Sequence, residues 1–563
     1  MARTIAMGSQ DFETIISKHC FYVDKTDFIR EWWENMDSVT LLTRPRRFGK
    51  TLAINMLERF FSAEYAGQGE LFSGLAIWKE KKYQDLQGTY PVVSLSFAGV
   101  KGNTYSEAIG QIYQIISDLY IRNIFLKDSG LLVKPESEYF DHVCEIKPET
   151  NMAVSLHKLC IFMQRYYRKK VIILLDEYDT PMQEAYRGGY WEELVSFTRS
   201  LFNFTFKTNP YMERAIMTGI TRVSKESVFS DRNNLEVVTT TSEKYADSFG
   251  FTQKEVISAL SEFGLSNQEA EVRNWYNGFT FGNRTDIYNP WSITNFLDKK
   301  IFGTYWANTS SNDLISILIQ KGNTNVKRTM EALLKDGVLH TQIDEQIVFD
   351  QLGQDESAIW SLLLASGYLK VDKLMLPPEA EDREYYLKLT NNEVKRMFKT
   401  MIKGWFKNPD AHYNDFIKAL LIDDKKSMNR YMNEIALTTF SYFDTGKRPS
   451  KTLEPERFYH GFVLGLMVDL ADRYTVTSNR ESGFGRYDVM LKPKRDSQKD
   501  PAIIIEFKVF DDEEEETLKD TVKIALQQIE KMNYAESLIA EGIPFEHIRK
   551  YGFAFQGKKV LIG

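Results

Sequence analysis

At 563 residues the chain is too long for one hydrophobic core, which implies two to four domains. Its 43% hydrophobic and 26% charged residues are those of an ordinary globular protein, and no apolar run reaches bilayer length, which excludes a transmembrane helix. A net charge of −7 excludes a surface that is basic throughout, but not a local basic groove. The first residues lack an apolar signal core and soon meet Asp11 and Glu13. Cys20, Cys144 and Cys160 have neither zinc-ligand spacing nor a disulfide framework, which suits a reducing cytoplasm. The seven histidines form no His-x-x-x-His pair, which argues against a zinc hydrolase.

In chain order, residues 38–42 read as a strand, 44–48 as a loop, and 50–61 as a helix with Leu52, Met56, Leu57 and Phe60 on one face. Further strands are expected at 91–97, 171–175, 214–218 and 235–241, with helices between them. Alternating strands and helices predict an α/β fold with a parallel sheet over 1–290. Residues 252–275 read as helix and 275–279 as a turn, and Asn289 caps a helix with Pro290 in its first turn. Residues 291–450 read as a helical or winged-helix connecting region, with a strand pair near 368–371 and 384–389. Over 451–563 the pattern is a helix (458–470), strands at 473–479, 486–492 and 502–509, a helix (517–536) and a strand (551–555). That is a compact α/β unit.

Two places carry chemistry. The first is the loop Arg44-Pro45-Arg46-Arg47-Phe48-Gly49-Lys50-Thr51, between strand and helix. Helix N-termini attract anions because their first N–H groups lack intrahelical partners and the dipole adds positive potential. Gly49 lets the backbone approach phosphate, Lys50 reaches the terminal phosphates, and the Thr51 hydroxyl is a ligand for Mg²⁺. The usual first glycine is replaced by Arg44, and the competing reading is a capped helix with surface charges. Asp176 and Glu177 close the strand at 171–175, beside the crevice of such a sheet. Asp176 is placed to hold Mg²⁺ through water and Glu177 to polarise an attacking water; the plain alternative is a pair of solvated carboxylates. Thr218 is a candidate γ-phosphate sensor. Arg222 is a candidate contact for phosphate or for a neighbouring subunit in a homo-oligomer, or else an exposed turn arginine.

Residues 8–290 resemble the AAA-ATPase-like domain of many bacterial proteins. The matching stretches are Gly8-Ser9-Gln10-Asp11-Phe12, Tyr22-Val23-Asp24-Lys25-Thr26, the Arg44-to-Thr51 loop, Leu175-Asp176-Glu177-Tyr178-Asp179, and the stretch from Thr218-Gly219-Ile220-Thr221-Arg222 to Ser227. The loop with Arg44 is itself the family form. The resemblance implies a sheet of the P-loop NTPase kind, an ATP site that includes Arg46, Arg47 and Phe48 of the loop, and a base contact from the segment of Tyr22 and Asp24.

The second place is Asp488 at the opening of one apolar strand, with Glu506 and Lys508 closing the next. Glu506 and Lys508 share a face because side chains alternate along a strand. Two carboxylates and a lysine at strand ends can hold a divalent metal and activate water; the competing reading is a structural salt bridge. Residues 455–563 resemble the PD-(D/E)xK nuclease superfamily, with Asp488 as the motif aspartate, Tyr487 in place of its proline, and Glu506-Phe507-Lys508 as the (D/E)xK element. That resemblance implies Mg²⁺, with Mn²⁺ as a substitute, held by Asp488 and Glu506, and Lys508 orienting water or stabilising charge. Glu481 is a candidate extra ligand, and His460 and Gln528 are candidates to face the same groove. Exposed polar surface is the alternative for Glu481 and Gln528, and a structural histidine for His460. Arg480, Arg486, Lys492, Lys494 and Arg495 can track a phosphate backbone or form a solvated basic face.

Together these features predict ATP-gated cleavage of nucleic acid, DNA before RNA. The alternative is a nucleotide-dependent switch or scaffold whose C-terminal domain binds nucleic acid or protein without cutting. A DNA-remodelling motor is a third reading, without a nameable translocation loop.

Overall fold

A computed structural model describes residues 2–207, 209–222, 234–307, 315–316, 318–319, 324–343, 356–375, 383–405, 413–439, 473–482, 485–494, 500–512 and 515–563, with Val463, Met467 and Leu470. The chain divides into two compact units, Met1–Ile319 with Ala332–Met397, and Gln320–Glu331 with Phe398–Gly563.

The first unit is built on a five-stranded parallel sheet: β1 (Val39–Thr43), β2 (Val92–Ser96), β3 (Val171–Asp176), β4 (Met212–Gly219) and β5 (Leu235–Val238). The order is β2-β3-β4-β1-β5. Every residue of β1 and β3 is buried, as in a sheet covered on both faces. Alternate residues feed different cores. Val39, Leu41, Ile173 and Leu175 pack with the helices of one face. Leu42, Ile172 and Leu174 pack on the other, against α1 (Lys50–Phe61), through Ile54, Leu57 and Phe60. The helix α2 (Thr180–Gly188) follows β3, and α3 (Pro290–Lys299) starts as expected, with Asn289 Oδ1 accepting from the amides of Trp291 and Ser292.

Three details depart from expectation. The helix over 252–275 is two helices, Gln253–Glu262 and Glu269–Tyr276. The turn at 275–279 is instead the start of a hairpin, Asn277–Phe281 with Arg284–Tyr288, whose alternating Phe279, Phe281 and Ile287 are buried. In the mainly helical middle, the expected strand pair exists as Leu369–Met375 and Glu384–Leu389, and Leu339–Gln342 adds a third strand. That third strand, Leu-His-Thr-Gln, has one apolar residue and gives no periodicity to read.

The second unit carries a mixed sheet: β6 (Tyr474–Ser482), β7 (Gly485–Pro493), β8 (Ala502–Val509), β9 (Ile548–Gln556) and β10 (Lys559–Ile562), paired in that order. Only β8 and β9 run parallel, joined through α4 (Leu518–Lys531). The edge strand β10 is covered by the helix Lys425–Thr439. Asn429 and Asn433 exchange side-chain hydrogen bonds with the main chain of Ile562 and Val560, as a partner strand would. Of the helix expected over 458–470, only Val463, Met467 and Leu470 are described, and all three are buried.

Candidate active sites

The loop after β1 is held from behind. The Arg44 guanidinium is fully buried and donates to the carbonyls of Thr43 (2.9 Å), Thr239 (2.6 Å), Lys244 and Tyr245. It also lies 4.5 Å from the Phe281 ring, and burial lowers its pKa to about 9. The side chain in the glycine position thus leaves the crevice and anchors the loop from below. Phe48 is buried against Phe279 and Phe281. The carbonyl of Arg46 accepts from the Trp306 indole (2.9 Å) and from Asn289. Gly49 has a φ of 85°, in the left-handed region that favours glycine, and turns the chain into α1.

Lys50 Nζ, 3% exposed, donates to the carbonyls of Arg44 (3.1 Å) and Pro45 (3.2 Å) and lies 3.5 Å from Glu177 Oε1. Thr51 Oγ1 donates to Asp176 Oδ2 at 2.7 Å. The strand bearing Asp176 is not next to β1, because β4 lies between them. Thr218 of β4 closes that gap: its hydroxyl donates to Asp176 Oδ1 and accepts from the Glu177 amide. Burial raises the Asp176 pKa, the neighbouring Glu177 adds to this, and the Thr218 and Thr51 hydrogen bonds oppose it. Glu177 has a φ of 53°, an uncommon value for a side-chain-bearing residue, and is half-buried.

Lys50, Thr51, Asp176 and Glu177 line one cleft of about 620 Å³, whereas Thr218 is buried behind Asp176 and is not among the cleft-lining residues described. That size suits a small-molecule ligand. Its lining includes the polar Arg46, Lys50, Thr51, Asp176 and Glu177 and the largely apolar Ile5, Met7, Tyr22, Val23 and Phe251. Tyr22 is therefore at the cleft. Asp24 is not: its carboxylate oxygens are taken by Thr26 and by the Ala76 amide (2.7 Å). Arg222, at the end of the turn after β4, is half-buried and is not among the cleft-lining residues described.

In the second unit, the β7–β8 ladder is paired at Val489–Ile505, Met490–Ile504 and Leu491–Ile503. Beyond Val489 the Asp488 side chain reaches across, its Oδ2 accepting from the Phe507 amide at 2.8 Å. This brings Asp488 to the Glu506-Phe507-Lys508 element. Glu506 is buried, and Lys508 Nζ lies 3.8 Å from its Oε1. Gln528, on α4, donates to Glu506 Oε1 and to the Tyr534 hydroxyl. Burial raises the Tyr534 pKa, and the Glu506 and Asp488 carboxylates push it further up. Glu481 pairs through its main chain with Arg486 on β6–β7. His460 and Arg495 lie outside the described residues, and Lys492 is paired with Glu541.

Residues 6–229 match the family model described as "Predicted AAA-ATPase", and residues 454–563 match that of the PD-(D/E)XK nuclease superfamily. The chain thus combines an AAA-ATPase-like domain with a PD-(D/E)XK nuclease superfamily domain. It is also similar to an uncharacterized protein from the vnfD 5' region of Azotobacter chroococcum mcd 1. The two are 24% identical over 396 residues, 70% of this chain and 68% of that protein.

Several site residues have no signal in the sequence. In the first unit, Ser96, Ala98 and Lys101 line the cleft from the end of β2, and Trp291 lies 4.6 Å from the Arg47 guanidinium. The carboxyl end of β2 was the available clue, since ligands of open α/β sheets gather at strand ends. In the nuclease superfamily domain, Tyr534 is the addition, and only the helix-to-sheet packing reveals it.

Both sites fit the groups that their families imply. Thr51 and Asp176 offer adjacent oxygens of the kind Mg²⁺ takes, and Asp488 and Glu506 offer two carboxylates. Among the described residues no group of three or more His, Cys, Asp or Glu side chains is placed to hold a metal. Either sphere would therefore be completed by a hydroxyl, main-chain carbonyls, phosphate oxygens or water.

Proposed function

We propose that the protein is an ATP-binding, Mg²⁺-dependent nuclease whose phosphodiester cleavage is gated by nucleotide at the AAA-ATPase-like domain. The observation that carries the cleavage reading is Asp488, drawn across to the main chain of the Glu506-Phe507-Lys508 element with Gln528 over Glu506. A purely structural ion pair needs neither the second carboxylate nor the glutamine.

In this reading Asp488 and Glu506 hold the metal, with Glu481 a candidate further ligand. The bound metal supplies Lewis acidity toward the scissile phosphate and lowers the pKa of a water. Gln528 orients Glu506, and Lys508 positions the attacking water or offsets charge on the phosphate. At the other site Lys50, Arg46 and Arg47 meet the phosphates, the Thr51 hydroxyl and Asp176 hold the nucleotide's Mg²⁺, and Glu177 orients a hydrolytic water. Lys50 is pre-paired with main-chain carbonyls and Glu177, so a nucleotide takes over contacts already aimed at the crevice. Tyr22 lies at the base end. Thr218 acts on Asp176, and Arg222 is available to a neighbouring copy. Nucleic acid is the substrate class, and DNA is the first to test.

Titration calorimetry with Mg²⁺-ATP tests the first half. Wild type is expected to bind, and Lys50→Ala to weaken binding by about 100-fold, as for loss of a charge-assisted contact. Cleavage of labelled single-stranded DNA, duplex DNA and RNA in Mg²⁺ or Mn²⁺ tests the second. Activity that survives Asp488→Ala removes the assigned nuclease site.

A further inference from the structure

Asp179 precedes α2, makes no side-chain cap bond to it and is fully buried, yet neither of the roles above uses it. Its Oδ2 accepts four hydrogen bonds, from the Ile220 amide (3.0 Å), the Thr221 amide (2.9 Å), the Thr221 hydroxyl (2.8 Å) and Gln183 Nε2 (3.0 Å). Its Oδ1 takes none among the described residues. One carboxylate oxygen offers about two lone-pair directions, so four donors on Oδ2 compete with one another. Gln183 is the member that reaches the cleft, and its Oε1 accepts from Arg46 Nη2 at 3.3 Å. A continuous hydrogen-bonded path therefore runs from Arg46 in the loop, through Gln183 and Asp179, to the turn between Thr218 and Arg222.

We propose that Gln183 and Asp179 are positioning residues that report the terminal phosphate of a bound nucleoside triphosphate to the Ile220–Thr221 turn. The inference rests on reading the cleft as a nucleotide site. Without a terminal phosphate, Arg46 holds the Gln183 carboxamide, which in turn donates to Asp179. A γ-phosphate beside Lys50 draws Arg46 away, because a phosphate is a stronger partner for guanidinium than a neutral amide. Gln183, released from Arg46, turns its amide toward the phosphate and leaves Asp179 Oδ2 to the three donors of the turn. Those bonds tighten, and the turn that carries Thr218 and Arg222 is fixed only in the triphosphate state. A diphosphate does not reach Arg46 and leaves the path as it stands.

Hydrogen–deuterium exchange at the Ile220 and Thr221 amides tests this, in the full chain with Mg²⁺-ADP and with a non-hydrolysable ATP analogue. Wild type is expected to exchange these amides about tenfold more slowly with the analogue than with ADP, the worth of roughly one hydrogen bond. In Gln183→Ala and in Gln183→Glu the difference between the two nucleotides is expected to vanish. The second variant keeps the acceptor for Arg46, removes the donor to Asp179, and guards against misfolding of the first. If wild type binds both nucleotides and exchanges equally with each, the relay is wrong and the nucleotide site stands. Protection by the analogue that persists in both variants also overturns it. If wild type binds neither nucleotide, the reading of the cleft fails and the relay with it.

Discussion

At the scale of single residues, Arg44 shows how a departure from a common motif can be structural. In place of a small residue, the chain carries a guanidinium that serves buried carbonyls under the loop and faces Phe281. Restoring the glycine is therefore predicted to weaken the domain. Arg44→Gly removes the guanidinium donor from those carbonyls, of which Thr239 and Tyr245 keep a main-chain amide, and opens a cavity; the expected loss is about 3 kcal/mol by analogy with broken buried polar contacts, measurable by urea unfolding. An unchanged midpoint would contradict this. The residue also marks a limit of reading from sequence. Loop spacing singles out Gly49, Lys50 and Thr51, which lie together at a helix N-terminus. It could not show that Arg44 points inward or that the Asp24 carboxylate is fully engaged, because Thr239, Lys244 and Tyr245 in the first case and Ala76 in the second lie tens of residues away or more.

At the scale of elements, two packing features make predictions. Gly552 on β9 lies under α4, where an added Cβ would meet the Val522 carbonyl at 2.8 Å and Ala525 Cβ at 3.0 Å. Gly552→Ala pushes the helix away and carries Gln528 off Glu506. The expected outcome is a loss of about 1–3 kcal/mol in stability, with nuclease activity falling more than a surface substitution would cause. Glu393, buried near the start of the helix Asn392–Trp405, accepts from Ser292 Oγ (2.8 Å) and from the amides of Trp306 (2.6 Å) and Ala307. Burial raises its pKa to about 7 despite those bonds. The folded state therefore holds this proton more tightly than the unfolded chain does. Stability is highest at acid pH and falls as pH rises from the ordinary carboxyl range through about 7, after which this contribution is flat. Unfolding free energies across pH 5 to 8 should lose roughly 2–3 kcal/mol from this group, and Glu393→Gln should flatten that part of the slope. Strands β1, β3 and β8 were legible because apolar runs between breakers leave few alternatives. The hairpin Asn277–Phe281 with Arg284–Tyr288 and the strand Leu339–Gln342 were not, because the hairpin's alternation spans only a few residues beside a helix and Leu339–Gln342 has one apolar residue and none that is buried.

At the scale of the whole molecule, the two candidate sites lie in separate compact units. The members of each candidate cluster stand out in short motifs, since strand-end carboxylates and a Gly-Lys-Thr turn at a helix start are local devices. Thr218 and Gln528 are also candidates from sequence, but their partners, Asp176 and Glu506, come from sheet order and helix packing. The reason for the two sites to share a chain is, in our reading, control of one by the other. Cleavage rates of a labelled DNA in Mg²⁺, with ATP, with ADP and without nucleotide, test this in wild type, Lys50→Ala and Asp488→Ala. The account predicts cleavage that changes at least about tenfold with ATP, loses that response in Lys50→Ala, and is absent in Asp488→Ala, as for loss of an essential catalytic group. Cleavage that is the same with and without ATP, and unaffected by Lys50→Ala, would contradict it.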